Sequence, residues 1–474
     1  MNQNSKNSSI VSNHYFKQQM NDCKFTDLLC LTIKKKINIL TIFPHLKNLA
    51  LSAVLFIFYF LLLGFWLTRI KIVKETEIGT PVLLILFTIK IMAGIAVGLA
   101  SYYIFKYQTD YFQTNLYGIQ EYHSLFESPK VFFTDLFKSN YTETGEFFGS
   151  RGSYWNDLRL NIIYKVLAFT NIFSRGNYYI NSLFFNFVSF IGSILLYKVF
   201  INVYPAKKWQ VMVGCFLLPS TLYFGSGIFK DLIVLTALSV FCYSLYFGIM
   251  KGFTGKKIIY LLLSFVTILF IRNFIAVILL PCAITWGIVD YYKLPAIKTF
   301  AALFVAGIAG IILLQQFTPK VNPLLIVVKK QQAFFALGKA NTDYKMDSLQ
   351  PTIKSFAEQA PSALRHSFLS PFPLEFHNFY MNLFSLEMMT YWFLFVLMLF
   401  KPDKIKYSSQ EFIVFGIAFT FLIFLFTGFI TPAAGALIRY RSIYFPFILI
   451  PILCNINWGG LFDKAKFLKE KQVS

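Results

Sequence analysis

Long apolar runs recur along the chain and are separated by short polar loops. Runs of about 18 or more apolar residues can cross the roughly 30 Å hydrocarbon core of a bilayer as α-helices. The runs are continuous rather than alternating, which argues against a transmembrane β-barrel. The pattern therefore predicts an all-α, polytopic transmembrane helical bundle of about eleven spans. These spans are residues 48–68, 81–105, 178–200, 209–225, 228–250, 258–271, 273–291, 297–315, 383–400, 411–430 and 442–460. Those near 209 and 258 are short enough to be tilted, bent or re-entrant.

Two long polar stretches, residues 106–177 and 316–382, interrupt the apolar pattern. Both exceed the length of ordinary connections, so we expect them to carry function. We expect amphipathic helices within them, and the clearest candidate is residues 158–173. The predicted organisation is a disordered or interfacial segment at 1–47, a single transmembrane domain at 48–460 and a basic cytoplasmic tail at 461–474.

The second predicted span carries two features that concern packing. Gly94 and Gly98 are four residues apart, a spacing that favours close approach of a neighbouring helix. Lys90 lies in the middle of the same span, where a lysine costs about 3 kcal/mol on insertion scales. We therefore expect Lys90 to have an internal partner, and we favour a structural ion pair.

Composition supports the membrane assignment. The chain has 474 residues, of which 56% are hydrophobic and only 14% charged, whereas a soluble domain is about 25% charged. Its net charge of +22 would favour nucleic-acid binding in a soluble protein. Here the basic residues are better interpreted as loop charges that set topology and contact anionic headgroups of the lipid bilayer, so no nucleic-acid partner is predicted. The six cysteines contain no C-x-x-C pair and are interpreted as core residues.

Lysine-rich short loops predict the orientation of the bundle, because such loops remain cytoplasmic. Five loop or tail segments after residue 178 alternate consistently, and they place both long polar stretches on the extracytoplasmic side. The loop at Arg69, Lys71 and Lys74 also fits the cytoplasm, which leaves the lysine-rich N-terminus on the wrong side. Either that terminus violates the rule, or residues 25–46 enter the membrane, or one early span does not cross.

Four cations occupy extracytoplasmic helix ends, where the same rule predicts few: Lys230, Arg272, Arg439 and Arg441. A single such cation is commonly a side chain that extends to the interface. Four on one face share a simpler explanation, which is an anionic ligand at the outer membrane surface. Arg365 and His366 add to this charge from the second long stretch.

Lys230 follows the turn Gly225-Ser226-Gly227 and lies in the predicted first turn of a helix. A lysine there opposes the helix dipole, but a bound phosphate would reverse the preference, because glycines, free N–H groups and lysine together favour phosphate. Asp231 suits the dipole without any ligand, and we interpret it as an N-terminal helix carboxylate. Arg439 and Arg441 begin the last span, where two planar guanidiniums either chelate a diphosphate or contact a lipid headgroup.

Acidic candidates are fewer. Asp110 follows the second span on the same side as the basic residues, where a carboxylate can act as general base on a hydroxyl. Glu121 and His123 follow in the same stretch, as do Asp135 and Asp157; most carboxylates in such a stretch are simply solvated. Glu387 lies within an apolar span and is expected to be paired or functional.

Several motifs are missing from the sequence. It has no Walker A motif, no H-E-x-x-H and no G-x-S-x-G, and its five histidines show no metal-ligand spacing. It also has no D-x-D that would hold a divalent cation. The simplest expectation is a metal-independent reaction that needs no cofactor and uses a membrane-borne activated donor.

Four segments resemble bacterial polytopic glycosyltransferases of the GT-C superfamily and O-antigen-polymerase-like proteins. "PSTLYFGSGIFKD" resembles their P-S-x-x-F-x-S-G-x-x-K-[DE] segment, and "GALIRYRSIYFPF" their terminal R-Y-R segment. "KIMAGIAVGLASYYIFKYQTDYF" resembles their first-loop aspartate region, and "SPFPLEFHNFYMNLFSLE" their late-loop proline-rich segment.

The resemblance implies sugar transfer or polymerisation at the outer face of the bacterial cytoplasmic membrane, in cell-envelope polysaccharide or glycoconjugate synthesis. The implied donor is a polyprenyl-phosphate-linked or polyprenyl-diphosphate-linked sugar, and the implied acceptor is a glycan or glycolipid. Asp110 would activate the acceptor hydroxyl, and Lys230, Arg439 and Arg441 would bind the lipid phosphate. Arg272, Glu121, His123 and Glu387 are further candidates for substrate binding.

Two other classes of protein remain open from the sequence. A transporter or flippase for a lipid-linked or anionic substrate would use the same cations and no base. It should show broken helices at the midplane and repeat symmetry, and we find no internal repeat. A structural or assembly protein whose loops bind partners is the third class.

The predicted orientation is testable by cysteine substitution at Ser139 and Ser348, one in each long polar stretch. Both positions should react with an impermeant thiol reagent in whole cells, because both stretches are predicted to face outward. If both positions were protected until lysis, the orientation would be inverted.

Overall fold

A computed structural model of the chain describes residues 39–105, 109–139, 153–317, 322–338, 342–376, 378–403 and 407–460, with side chains from residue 50 onward. The chain divides into two compact units, residues 1–57 and 58–474, with the boundary inside the first helix. The expectations for residues 1–38 and for the tail at 461–474 lie outside the described residues. Everything below concerns the second unit.

The described residues are helical, with only isolated β-bridges and no strands. Eight helices are long and apolar enough to cross a membrane, and the count reaches nine if the last two helices form one bent span. The α-helices are α1 (Ile39–Arg69), α2 (Lys71–Lys74), α3 (Thr80–Tyr103), α4 (Asp110–Glu127), α5 (Pro129–Thr134), α6 (Tyr154–Ser174), α7 (Tyr178–Val203), α8 (Lys208–Phe216), α9 (Pro219–Phe224), α10 (Lys230–Lys251), α11 (Gly255–Ile271), α12 (Asn273–Tyr292), α13 (Ala296–Phe317), α14 (Pro323–Phe335), α15 (Ile353–Leu364), α16 (Phe379–Phe400), α17 (Gln410–Ile430), α18 (Ala434–Ser442) and α19 (Phe445–Cys454).

The predicted count of about eleven spans is therefore not confirmed, although the multi-pass helical class is. The run at 209–225 forms two short helices, α8 and α9, because Pro219 begins α9 and holds Leu218 in an extended conformation. The run at 258–271 belongs to α11, whose 17 residues reach only about 25 Å. The last run, 442–460, contains the ten-residue α19, whereas α18 lies almost entirely before it. The two helices meet at a 63° bend.

The most buried spans are α7 and α10, which pack against each other at the centre of the described bundle. On one side α3 packs against α7 at Gly94 and Gly98, as their spacing predicts. A Cβ atom at Gly94 would lie 2.1 Å from Asn186 Nδ2, and one at Gly98 would lie 2.7 Å from the ring of Tyr179. On the other side α11 packs along α10.

Lys90 is buried on α3, but its partner differs from the predicted ion pair. Its Nζ donates a hydrogen bond to the carbonyl oxygen of Gly225, and no carboxylate lies within ion-pair distance in the described parts of the chain. Gly227 N in the same turn donates to Asn186 Oδ1 at 2.9 Å, and Gly227 has a φ of +74° that favours glycine. These contacts hold the turn that precedes Lys230.

Both long polar stretches fold into helices that pack on the bundle. In the first, α4 and α6 lie against each other, and α6 includes the helix predicted at 158–173. In the second, α14 and α15 both pack against α17. The contact of α15 with α17 is tight, because a Cβ atom at Gly428 would lie 2.2 Å from the carbonyl oxygen of Ala363. Of these helices, α4, α6 and α14 line the site described next.

Candidate functional site

A cavity of about 260 Å³ lies where five elements meet: α4, α6, the first turn of α10, the α11–α12 junction, and α14, with α18 completing its wall. Five cations line it, and Asp110 is the one carboxylate among the lining residues that the structure describes. These cations are Arg159, Lys230, Arg272, Lys330 and Arg439. Cavities of this kind, with a few convergent polar groups, are the usual form of ligand sites.

Asp231 organises the arginines of this cavity. Its side chain is 0% exposed, and its two oxygens accept from different guanidiniums. Oδ1 accepts from Arg272 Nη2 at 2.5 Å, and Oδ2 accepts from Arg439 Nε at 2.5 Å. A charge-assisted pair of this kind is the condition under which a buried carboxylate is tolerated. Asp231 is therefore a positioning residue that joins the start of α10, the α11–α12 junction and α18.

Asp110 extends this network to the rim of the cavity. It is the first residue of α4, and its Oδ2 accepts from Arg439 Nη1 at 3.3 Å. Its side chain is 72% exposed, so most of the carboxylate remains open to a ligand. A carboxylate in the first turn of a helix is also stabilised by the helix dipole.

Aromatic rings support two of the guanidiniums. Arg272 lies 4.2 Å from the ring centroid of Tyr440, and Arg439 lies 5.3 Å from that of Phe229. Stacking on a ring face stabilises a cation and restricts its orientation. The two arginines are thus held in place by carboxylate and ring contacts before any ligand arrives.

The cavity carries an excess of positive charge. Five cations face only Asp110 and the buried Asp231, a surplus of three positive charges. Lys230 and Lys330 have no ion-pair partner among the described residues. The buried Nε–H groups of Arg159 and Arg272 also find no acceptor there. Unpaired buried donors are costly, so this arrangement favours an anion with several acceptor oxygens.

The titration behaviour of the cations outside the spans follows from the same crowding. Burial, and then the charges of Arg159 and Arg272, lower the pKa of Lys330 below its ordinary value. Burial and Arg272 also lower the pKa of Arg159. Burial opposes the charge of Arg272 too, but the carboxylate of Asp231 raises the pKa of that guanidinium. A bound anion would act on Arg159 and Lys330 as Asp231 acts on Arg272.

Of the four cations predicted on helix ends, the structure brings three together and places Arg441 elsewhere. Arg441 is buried and donates to the carbonyl oxygens of Ser367, at 3.0 Å, and Ser370. Residues two apart on a helix point in nearly opposite directions, so Arg439 and Arg441 cannot face one ligand from α18. Arg441 instead anchors the end of the second long stretch.

The remaining predicted residues also lie outside the cavity lining. Glu121 pairs with Lys165 at 2.5 Å between α4 and α6, and His123 is exposed on α4. Glu387 is buried on α16, where it accepts from Ser220 N at 2.8 Å and from the hydroxyl of Tyr391. His366 is buried and stacks on Tyr344 with a centroid distance of 4.3 Å.

Sequence reasoning missed Arg159, Lys330 and the central role of Asp231. Arg159 and Lys330 come from the two long polar stretches, where a basic residue ordinarily contacts solvent. The one local signal is that each is embedded among apolar residues with helical spacing, as in "LRLNII" and "LLIVVKKQ". No group of three or more His, Cys, Asp or Glu side chains in the described ranges is placed to hold a metal ion.

Comparison with protein-family models finds no match, and no similar curated protein or solved structure is found.

We predict that Asp231→Asn destabilises the protein by about 3–5 kcal/mol, because it leaves two buried guanidiniums without their counter-charge. The matched control is Asp290→Asn, which removes a 3.3 Å pair with the exposed Lys293 and should cost no more than about 1 kcal/mol. Unfolding of the purified variants in detergent measures both. Equal stability of the two variants would contradict the role of Asp231.

We also predict that phosphate binding weakens as pH rises toward 10.5, the ordinary pKa of a lysine. Because burial and the neighbouring arginines lower its pKa, Lys330 loses its proton, and with it its attraction for an anion, at a lower pH than an ordinary lysine. Lys330→Arg should move the decline to higher pH, because arginine stays charged.

The control for that titration is Lys329→Arg, at an exposed neighbour outside the cavity lining. It should leave the profile unchanged. Calorimetric titration with inorganic phosphate provides the measurement, and identical profiles for Lys330→Arg and the unmodified chain would remove Lys330 from the site.

Proposed function

We propose that this chain is a membrane glycosyltransferase or polymerase that uses a polyprenyl-phosphate-linked sugar donor. The observation that supports the proposal most directly is the cavity in which five cations surround one open carboxylate, Asp110. Phosphate is the anion that arginine forks and lysines bind together most readily. The acceptor would be a glycan or glycolipid, and the reaction would take place in the bacterial cytoplasmic membrane in cell-envelope synthesis.

In the proposed reaction, the cations hold the donor phosphate and Asp110 acts as general base. The Asp110 carboxylate takes the proton of the acceptor hydroxyl while that oxygen bonds to the anomeric carbon of the sugar. The bond between that carbon and the phosphate oxygen breaks, and its electron pair goes to the phosphate. Cations positioned beside the leaving group stabilise this developing charge and account for most of the expected rate enhancement.

The roles of the site residues follow from their contacts. Arg272 and Arg439 are held by Asp231 and contribute fixed charge, whereas Lys230 and Lys330 have no carboxylate partner in the described chain and are free to contact the phosphate. Arg159 completes the ring of charge from α6. The carboxylate of Asp110 lies at the rim of the cavity, where it would accept the proton, and its 3.3 Å contact with Arg439 orients it.

A transporter or flippase for an anionic lipid-linked substrate is the second candidate. The observation that favours it is the presence of interrupted helices, since α8 and α9 break one apolar run and α18 meets α19 at 63°. Transporters commonly place broken helices at their substrate sites. Such a protein would need the cations of the cavity but not a base.

Asp110→Asn separates the two candidates. It should lower glycosyl transfer by roughly 10²–10⁴-fold, the usual contribution of a positioned base, and leave donor binding intact, because it removes no cation. The matched control is Asp135→Asn in the same stretch, where the carboxylate pairs with exposed Lys138 at 3.5 Å and lies outside the cavity lining. Product formation from a polyprenyl-linked donor in proteoliposomes is the measurement.

Full transfer activity in Asp110→Asn would exclude Asp110 as the base. Absence of any transfer by the unmodified chain, together with flux of the lipid-linked substrate that Asp110→Asn does not alter, would favour the transporter.

A further inference from the structure

A second cavity adjoins the cationic one and has the opposite character. It is an apolar groove of about 700 Å³ between α6, α7, α10 and α11. Several of its lining side chains are also exposed on the outside of the bundle, among them Val188 on α7 and Leu263 on α11. The groove therefore opens sideways from the helices that surround it.

The groove presents no free polar group from its serine and threonine side chains. Four hydroxyl residues line it, and each donates to a carbonyl oxygen of its own helix three or four residues earlier. The four bonds are Thr170 to Leu167 at 2.9 Å, Thr236 to Leu232 at 2.8 Å, Ser264 to Leu261 at 2.9 Å and Thr267 to Leu263 at 2.8 Å. Apart from the hydroxyl of Tyr260, only methyl, methylene and ring surface remains for an occupant.

Three helices pass directly from the cationic cavity to the groove. On α6, Arg159 lines the cavity and Ile162 lines the groove one turn later. On α10, Lys230 lines the cavity and Leu232 the groove, and at the end of α11, Ile271 lines both.

The junction between the two is rigidly built. Arg159 Nη1 donates to the carbonyl oxygen of Ile271 at 2.9 Å, which ties α6 to the end of α11 where cavity and groove meet. The charged and apolar parts of the ligand surface are therefore contiguous over three elements.

We propose that the two cavities form one site for a lipid phosphate, with the phosphate among the five cations and the hydrocarbon chain in the groove. This inference rests on the proposed function in taking the anion of the cavity as lipid-borne. It adds the path of the ligand's hydrocarbon chain, which leaves the cavity past Ile271 and runs between α6, α7, α10 and α11.

The hydrocarbon chain of the ligand contributes little affinity, because bilayer lipid is as apolar as the groove. The phosphate selects the molecule, and the groove orients it by packing. A groove filled only by bulk lipid would show no such dependence on phosphate, and this difference defines the experiment.

The test uses a farnesyl monophosphate analogue with a diazirine in its chain, applied to the full-length protein in proteoliposomes. The control probe is the alcohol with the same chain and diazirine but no phosphate. We expect the phosphate probe to label groove residues of α6, α7, α10 or α11, and the alcohol to label them much more weakly. Lys330→Met should reduce labelling by the phosphate probe alone.

A bulky side chain in the groove provides the second arm. Val188→Trp should lower labelling by the phosphate probe roughly tenfold, the factor that a packing clash of about 1.4 kcal/mol produces. Val188 is 52% exposed, so the substitution does not disturb the core. Val277→Trp is the matched control, since this valine on α12 is 68% exposed and lines neither cavity. Inorganic phosphate should bind both variants as it binds the unmodified chain.

Equal labelling of the groove by the alcohol, or labelling by the phosphate probe on other faces of the bundle, would overturn the inference. These outcomes are separable from failure of the proposed function. If the phosphate probe labels the groove of a protein that transfers no sugar, the glycosyltransferase proposal is refuted and the lipid-phosphate site stands. If the protein transfers sugar but both probes label the groove equally, the lipid-phosphate site is refuted and the glycosyltransferase proposal stands.

Discussion

The arrangement of the site depends on one buried carboxylate. Asp231 lies at the start of α10, is 0% exposed and accepts from both Arg272 and Arg439. Two guanidiniums from sequence positions 41 and 208 residues away would otherwise repel each other in an enclosed space. One carboxylate reduces that repulsion without neutralising the cavity, because Arg159, Lys230 and Lys330 add three further positive charges. The same charge imbalance that shapes the site is the basis of the anionic ligand proposed for it.

The irregular parts of the bundle bring these charges together. Residues 225–229 connect α9 to α10 and bring Lys230 and Asp231 to the cavity, and Lys90 and Asn186 hold that connection through hydrogen bonds to Gly225 and Gly227. The bend between α18 and α19 and the break between α11 and α12 bring Arg439 and Arg272 to the same place. A bundle of uninterrupted spans would carry such cations to separate helix ends, where each would contact headgroups or water.

The cationic cavity and the apolar groove together match an amphiphile better than either matches a soluble anion or a bulk lipid. A free phosphate would use the cavity and leave the groove without a role, and a neutral lipid would leave the surplus of three positive charges unmatched. The carboxylate of Asp110 lies on the rim of the cavity and is 72% exposed, as a base for a second substrate in the proposed reaction would need to be. This geometry connects the packing of α6 and α11 to the chemistry proposed for the site.

The sequence by itself determined the helical membrane class, most of the spans, and the candidacy of Asp110, Lys230, Arg272 and Arg439, because long apolar runs and misplaced charges are local properties. Only the tertiary structure decided which charged groups pair with each other and which are buried together. It turned Asp231 from a capping carboxylate into the centre of the site and separated Arg441 from Arg439. It also brought Arg159 and Lys330 to the cavity, although they lie 71 residues before and 100 residues after Lys230 in the sequence. The number of spans also depended on it, since Pro219 and the bend before Phe445 interrupt runs whose composition alone favours crossing. Charge partners and helix breaks depend on contacts between distant segments, and a local pattern carries no information about which distant segment will arrive.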